Sequence, residues 1–368
     1  MGLLGLSGCG SPSSASVEMS SQTELVKKGS MELQYAENFA VDYYEDGYKM
    51  LTTLPDSKRY LLVPEGQPVP RGLDEDVSIL QEPLQNIYLV ASGVMDMFAS
   101  LDAVDQIRFS GQKQENWYIQ TAKDAMAAGD MIYAGKYSKP DYELLVSEGC
   151  DLAIENRMIT HSPEVVEMLQ SFDIPVMIEY SSYEQHPLGK VEWVKFFGAL
   201  TGKEVEAEET FAEQTEILEK VESGEKTGKT IAFFYVTSNG LIQVRQSTDY
   251  IPKLIELAGG RYIFEDLEDS GSGRSTLNMQ VEDFYAGAKD ADILIYNSSI
   301  DGGVTTVDEL IGKCNILKDF KALQEGQVYC TTNDMYQQSM AIGYLLQDMH
   351  TVLTDDDTAK LRYLFLLQ

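Results

Sequence analysis

Residues 187–225 read PLGKVEWVKFFGALTGKEVEAEETFAEQTEILEKVESGE, and this stretch decides the fold. Apolar side chains recur in it at three- and four-residue steps, the spacing of one helical face. The repeating positions are Val191, Val194, Phe197, Leu200, Phe211, Gln214, Leu218 and Val221. Gly202 is expected to interrupt the helix briefly. The glutamates of 204–209 suit the N-terminal turn of the helical segment that follows it. The pattern predicts a long helix over residues 187–225.

Short apolar strands alternate with amphipathic helices on both sides of this helix. On the N-terminal side, strands are predicted at 86–92, 106–111, 130–135, 151–156 and 175–180. On the C-terminal side, strands are predicted at 229–236, 241–245, 261–264, 291–297 and 327–330. Such alternation builds parallel sheets, with ligand sites at the carboxyl ends of the strands. The sequence therefore predicts two α/β lobes joined by a single long α-helix.

A chain of 368 residues is longer than a single hydrophobic core usually supports, so more than one domain is expected. We divide the chain into four regions. Residues 1–30 hold a signal remnant and a Ser-rich tether, and 31–186 form the N-terminal lobe. That lobe opens with a β-hairpin, predicted from alternating apolar residues around Asp46-Gly47 and Pro55-Asp56. Residues 187–225 are the interdomain helix, and 226–368 form the C-terminal lobe.

The composition excludes several partners and sites. Asp and Glu outnumber Lys and Arg by 59 to 28, and a formal net charge of −31 repels nucleic acid. The sequence has no C-x-x-C spacing and only three histidines, so neither a structural zinc site nor any other resident metal or cofactor is predicted. Cys150 and Cys330 are expected to be buried thiols, and a disulfide between Cys314 and Cys330 stays open.

The N-terminus resembles a lipoprotein signal. Residues 6–9 read LSGC, similar to the lipobox in which the peptide is cut before a lipid-bearing cysteine, here Cys9. The basic and apolar regions of a secretory signal are incomplete. Either the recorded start lies downstream of the true start, or Cys9 is a coincidence. A lipid on Cys9, followed by the Ser-rich tether, would place the globular part on the outer face of a membrane.

Several blocks resemble the substrate-binding proteins of ABC importers for iron-siderophore, haem and cobalamin. They are PDYELLVSEGCDLAIEN with FDIPVMIEY in the first half, and YIPKLIELAGGRYIF with MQVEDFYAGAKDADILIY in the second. The stretch at 187–225 and the residues just before it are similar to that family's interdomain helix region. The likeness covers roughly Asn86 to Thr332. The departures are the missing proline in 147–151 and the long opening hairpin, which leave the subfamily and the ligand open.

The resemblance implies two Rossmann-like α/β lobes, a single connecting helix and a ligand cleft between the lobes. It implies a monomeric, extracytoplasmic binding protein without enzymatic activity that delivers a small-molecule metal chelate to an ABC transporter permease. The expected cargo is an iron-siderophore, with cobalamin and haem as alternatives. A surface sensor or adhesion module without a transporter is a further alternative. A metal-cluster enzyme is disfavoured, because the scattered cysteines supply no cluster ligands.

Two sets of residues carry this function in the prediction. Glu143 and Glu282 fall where the family has one glutamate on each lobe to meet arginines of the permease. Polar and aromatic residues just past the strand ends are the cleft candidates, because they supply stiff contact area and positive charge. These are Trp117, Tyr118, Asn156, Arg157, Tyr180, Tyr183, Arg245, Arg274, Asn278, Tyr296 and Asn297. For each, ordinary packing at a strand end is the alternative.

Overall fold

The computed structural model describes residues 25–267, 275–298, 302–356 and 358–368. Cys9 and Arg274 therefore lie outside the described residues. The structure confirms the α/β class and the two lobes. In the described part of the chain, no helix combines the length and apolar character needed to cross a membrane.

A five-stranded sheet precedes the N-terminal lobe. Its strands are β1 Lys27–Ser30, β2 Phe39–Tyr44, β3 Lys49–Thr53, β4 Lys58–Val63 and β5 Val77–Gln81, in the order β1-β2-β3-β4-β5. Strands β1 to β4 pair antiparallel, as the hairpin prediction requires, and β5 adds a parallel edge. The opening element is thus larger than the predicted hairpin.

The N-terminal lobe contains a parallel sheet in the order β12-β11-β6-β7-β8. The strands are β6 Ile87–Leu89, β7 Ile107–Ser110, β8 Ile132–Tyr133, β11 Leu152–Asn156 and β12 Val176–Glu179, with a small pair β9 Gly135–Lys136 and β10 Lys139–Pro140. The helices are α1 Val94–Ser100, α2 Gln120–Ala128, α3 Tyr142–Ser147 and α4 Pro163–Ser171. All five strands of the parallel sheet lie where apolar runs predicted them.

Two helices, not one, occupy the region between the lobes. Helix α5 is Pro187–Thr201 and helix α6 is Glu204–Glu222. Gly202 adopts a left-handed conformation with φ of 72° and ends α5. The chain then reverses, because Lys195 Nζ lies 2.9 Å from Glu208 Oε2 across the pair. The prediction of one continuous helix over 187–225 is therefore wrong.

Helix α6 makes the connection to the second lobe, while α5 lies inside the protein. Every residue of α5 from Pro187 to Leu200 is buried. A helix that is apolar around most of its circumference must be covered on all sides. The sheet β1–β5 supplies part of that cover, where Phe39 packs edge-on against the rings of Trp193 and Phe196.

The C-terminal lobe is built on a second sheet with the order β16-β14-β13-β17-β18-β19, and β15 also pairs with β13. The strands are β13 Thr230–Val236, β14 Ile242–Arg245, β15 Arg261–Tyr262, β16 Thr276–Met279, β17 Ile293–Tyr296, β18 Val328–Thr331 and β19 Leu364–Leu366. The helices are α7 Tyr250–Leu257, α8 Val281–Ala288, α9 Val307–Lys313, α10 Lys321–Gln324 and α11 Ile342–Thr354. Its central strands β15, β13, β17 and β18 are parallel, so this lobe repeats the arrangement of the first.

Candidate functional site

A cavity of about 250 Å³ lies between the two lobes. The N-terminal lobe contributes Asn156 and Arg157, which follow β11, and Tyr183, which follows β12. The segment before α11 contributes Tyr336 and Ser339 from the other lobe. Because parallel strands bring their carboxyl ends to one edge, side chains from separate strands meet here.

The N-terminal wall is an aromatic and cationic surface. The Arg157 guanidinium lies 4.5 Å from the ring centroid of Tyr183, a cation–π contact. Asn156 Oδ1 accepts the N–H of Met158 at 2.8 Å and so fixes the turn that carries Arg157. Tyr180, which is buried, packs edge-on against Tyr183 with ring centroids 6.5 Å apart. The predicted residues Asn156, Arg157, Tyr180 and Tyr183 are therefore brought together.

The opposite wall centres on Tyr336. Asn297 Nδ2 donates a hydrogen bond to Tyr336 Oη at 2.8 Å. The Arg245 guanidinium lies 5.5 Å from the ring centroid of Tyr336 and 3.4 Å from Asp249 Oδ2. Arg245 and Asn297, both predicted as cleft residues, thus support the tyrosine that lines the cavity.

Lys190 lines the cavity from helix α5. It is one of three charged residues of α5 that are almost fully buried, the others being Glu192 and Lys195. Those two have partners, since Glu192 accepts backbone N–H groups of 34–36 and Lys195 pairs with Glu208. The ring of Tyr250 lies 4.7 Å from Lys190 Nζ, which forms no hydrogen bond or ion pair within the described residues.

Three carboxylates lie near Lys190. Burial raises the pKa of Asp96 to about 6 and raises the pKa of Glu179 and Asp249, while the charge of Lys190 partly offsets each rise. Each carboxylate accepts hydrogen bonds elsewhere. Glu179 Oε2 accepts from the backbone and hydroxyl of Ser181 at 2.9 and 2.6 Å. The three carboxylates together offset the free-energy cost of burying the Lys190 ammonium, and none of them accepts a hydrogen bond from it within the described residues.

Side chains also tie the two lobes to each other beside the cavity. Gln337 Nε2 donates to the carbonyl of Asn116 at 2.8 Å, and Gln337 Oε1 accepts the N–H of Tyr118 at 2.8 Å. Asp96 Oδ2 accepts the N–H of Met340 at 2.7 Å. These bonds hold the walls in one arrangement, so the cavity is shaped before any ligand arrives.

Solved structures with the same arrangement were found by structural comparison. An ABC transporter substrate-binding protein from Listeria monocytogenes matches with a TM-score of 0.56 and 17% identity, covering 73% of this chain and 98% of its own. A periplasmic heme binding protein of Vibrio cholerae matches with a TM-score of 0.57 and 14% identity, again over 73% and 98%. This is the fold of the periplasmic binding proteins. A periplasmic catecholate-siderophore binding protein of Vibrio cholerae shares it, with a TM-score of 0.57 and 12% identity over 75% and 95%.

Sequence comparison finds relatives that cover most of this chain. An uncharacterized lipoprotein of Methanocaldococcus jannaschii is 24% identical over 353 residues, covering 87% of this chain and 81% of that protein. An uncharacterized protein of the same organism is 28% identical over 267 residues, covering 69% and 77%. No family model matches the chain.

Other predicted cleft residues take different places in the binding-protein fold. Trp117 is 1% exposed, and its indole N–H donates to Ser110 Oγ at 3.1 Å. Tyr296 is fully buried in the core of the C-terminal lobe. Asn278 lies on β16, where its Oδ1 accepts from Gln243 at 3.1 Å. None of these three side chains lines the cavity described above: Trp117 and Tyr296 are buried in their own lobes, and Asn278 is exposed on the edge strand β16.

Tyr118, by contrast, is 48% exposed, next to the backbone that Gln337 holds. The Lys123 ammonium lies 6.0 Å from the centroid of its ring. Its position at the junction of the lobes leaves the ring available to a ligand larger than the cavity.

Glu143 and Glu282 occupy equivalent positions in the two lobes. Each is exposed and is the second residue of a helix, α3 or α8, that precedes a central strand, β11 or β17. A carboxylate in the first helical turn is favoured by the helix dipole alone. The matched positions are compatible with contact between both lobes and a permease, and the helix dipole alone also explains a glutamate at each position.

The described cysteines, Cys150, Cys314 and Cys330, are not joined in disulfide bonds. Cys330 is buried, as expected, and Cys150 is half-buried, with its pKa raised by burial to about 12. The Cys314–Cys330 disulfide is not formed. Within the described ranges, no group of three or more His, Cys, Asp or Glu side chains is placed to hold a metal ion.

Of the residues that line the cavity, sequence reasoning found Asn156, Arg157 and Tyr183 and missed the others, among them Lys190, Tyr336 and Ser339. Lys190 could have been found from the sequence, because a lysine next to the apolar positions of a helix is unusual if that helix is buried. Tyr336 and Ser339 lie in a segment without strand or helix periodicity, and no sequence pattern assigns them to the cavity.

The lobe contacts of Gln337 give a stability prediction. Gln337→Ala removes two hydrogen bonds and leaves the Asn116 carbonyl and the Tyr118 N–H without that partner. We expect the free energy of unfolding to fall by about 2 kcal/mol, measured by urea denaturation. Gln338→Ala, for which no side-chain hydrogen bond is seen, is the matched control and should change it by less than about 0.5 kcal/mol. Equal stability of the two variants would contradict a role for Gln337 in joining the lobes.

Proposed function

We propose that the chain is an extracytoplasmic substrate-binding lipoprotein that captures a metal chelate, foremost an iron-siderophore, and delivers it to an ABC importer permease. Haem and cobalamin are the alternative cargoes. The observation that carries the proposal is the interlobe cavity, whose walls come from both halves of a periplasmic binding-protein fold. The protein would act by binding and release, without catalysis.

The chemistry of the walls suits a ligand that carries flat or negatively charged groups. The charged side chains that line the cavity are two cations, Arg157 and Lys190, and one carboxylate, Glu179, so the lining carries a net positive charge in a chain whose net charge is −31. The rings of Tyr183 and Tyr336 add flat contact area on opposite sides. Because the lobes are already tied by Gln337 and Asp96, little ordering cost would oppose binding.

The proposed membrane anchor and the proposed permease contact are supported by other observations than the cavity. Relatives that cover most of this chain are named lipoproteins, and Cys9 follows a lipobox-like tripeptide. We place the folded part outside the membrane as a monomer, anchored by a lipid on Cys9. Glu143 and Glu282, exposed on separate lobes, would contact arginines of the permease.

A thermal-shift screen of the purified protein tests the proposal. The panel consists of ferric siderophores of the catecholate, hydroxamate and carboxylate classes, together with haemin and cyanocobalamin. A true cargo at about 100 times its Kd should stabilise the folded state by about 2.7 kcal/mol. The corresponding metal-free siderophores and a protein without metal-chelate affinity serve as controls. If no member of the panel raises the melting temperature, capture of a metal chelate is ruled out as the function.

A further inference from the structure

Two buried polar groups line the cavity, one on α5 and one just before α11, and neither has a hydrogen-bond partner among the described residues. Lys190 is 4% exposed, and within the described residues its ammonium forms no hydrogen bond or ion pair, while the ring of Tyr250 lies 4.7 Å away. Ser339 is 1% exposed, and its Oγ has no partner in the described part of the chain. Both residues line the same cavity. Buried donors are normally satisfied, so two of them facing one space indicate a ligand group that satisfies both.

The neighbouring charges do not fill this role. Asp96, Glu179 and Asp249 lie near the ammonium and partly offset its charge. Each accepts a hydrogen bond from another group, the N–H of Met340 at 2.7 Å, of Ser181 at 2.9 Å and of Ile251 at 2.9 Å, respectively. Within the described residues, none of the three forms an ion pair with Lys190. Glu192 and Lys195, on the same helix, are fully engaged with other partners. Lys190 is thus the charged group of α5 that the folded chain leaves available.

We propose that Lys190 and Ser339 form a subsite for a carboxylate group of the ligand. A carboxylate has two oxygens, so one can accept from the ammonium and the other from the hydroxyl, and a charge-assisted bond forms where no water competes. The Arg157 guanidinium on the same wall adds to the positive potential. The inference rests on the proposed function and narrows the cargo to chelates that bear a carboxylate.

This subsite divides the candidate cargoes by chemistry. Ferric citrate and haemin, through its propionates, carry carboxylates. Ferric trihydroxamates and cyanocobalamin do not. Removal of Lys190 or Ser339 should therefore weaken the first pair of ligands and leave the second pair unaffected.

The experiment compares Lys190→Gln and Ser339→Ala with Ser171→Ala, which removes an exposed hydroxyl at the end of α4, outside the cavity lining. Binding of ferric citrate, haemin, iron protoporphyrin dimethyl ester, a ferric trihydroxamate and cyanocobalamin is measured by calorimetry. We expect the wild type to bind a carboxylate probe, Lys190→Gln to lose at least ten-fold in affinity, and Ser339→Ala to lose three- to ten-fold. Ser171→Ala should change the affinity less than two-fold. The dimethyl ester should bind less tightly than haemin, with no difference between wild type and Lys190→Gln.

The outcomes separate this inference from the proposed function. If only a carboxylate-free chelate binds, or if a carboxylate probe binds Lys190→Gln and Ser339→Ala as well as the wild type, the subsite is refuted and chelate capture stands. If no chelate binds but metal-free citrate binds the wild type ten-fold tighter than Lys190→Gln, chelate capture fails and the subsite stands. If nothing binds, both are overturned. Ser339→Ala keeps the test valid should Lys190→Gln fold poorly, because it removes only an unpartnered hydroxyl.

Discussion

Changing Glu143 and Glu282 together to lysine should abolish uptake of the chelate by cells, while the purified variant binds the chelate as tightly as the wild type. Both side chains are exposed, and both lie in the first turn of a helix, away from the cavity residues. Each carboxylate–arginine contact with a permease would be replaced by a like-charge contact. With about ten-fold lost at each contact, the double variant should dock about 100-fold more weakly. Radioactive iron uptake in cells that express each form measures the effect.

A matched control separates docking from a general change in charge. Glu164→Lys with Asp308→Lys also reverses two exposed carboxylates in first helical turns, those of α4 and α9. This variant has the same net charge as the docking variant and should transport normally. Unchanged uptake by the docking variant would remove Glu143 and Glu282 as contacts. Loss of uptake by both variants would assign the effect to overall charge.

The two lobes could be predicted from the sequence because each buried strand is a short apolar run between helices. The strand β17, Ile293–Tyr296, lies inside the predicted 291–297, and β11, Leu152–Asn156, inside 151–156. A strand covered on both faces is a continuous apolar run, and its short length between helices distinguishes it from a buried helix. The α/β class therefore followed from local pattern alone.

The turn between α5 and α6 could not be predicted in the same way. Gly202 and the glutamates after it indicate an interruption, but an interrupted straight helix and a helical hairpin give the same apolar pattern on either side of it. The difference lies in contacts distant in sequence, such as the 2.9 Å bond between Lys195 and Glu208. A Cβ placed on Gly198 would lie 2.6 Å from the Cβ of Ala207, so the close approach of the helices requires glycine there.

The site was predicted only where it follows strands. Arg157 and Tyr183 come directly after β11 and β12, so the rule that ligands meet strand ends located them. The same rule selected Trp117 and Tyr296, whose side chains are buried in their own lobes. Strand ends thus predict which segments approach a cleft, and the direction of each side chain depends on packing that sequence does not contain.

Replacing Glu155 by glutamine should raise the free energy of unfolding at pH 7 by about 3 kcal/mol. The Glu155 side chain is fully buried, and neither carboxyl oxygen has a hydrogen-bond partner within the described residues. Burial raises its pKa from 4.5 to about 8. The folded protein therefore keeps a proton on Glu155 at pH 7, where the unfolded chain has released it.

The pH dependence of this effect has a definite sign. Between the unfolded pKa of 4.5 and the folded pKa of about 8, the folded state binds more protons, so wild-type stability falls as the pH rises. Glutamine does not titrate, so the variant and the wild type should be equally stable at pH 4 and should diverge towards pH 8. Urea denaturation across this range measures the difference, with exposed Glu164→Gln as the control that should stay within about 0.5 kcal/mol. A gain of the same size at pH 4 and pH 7 would mean that it comes from packing, because ionisation of Glu155 contributes only above its unfolded pKa.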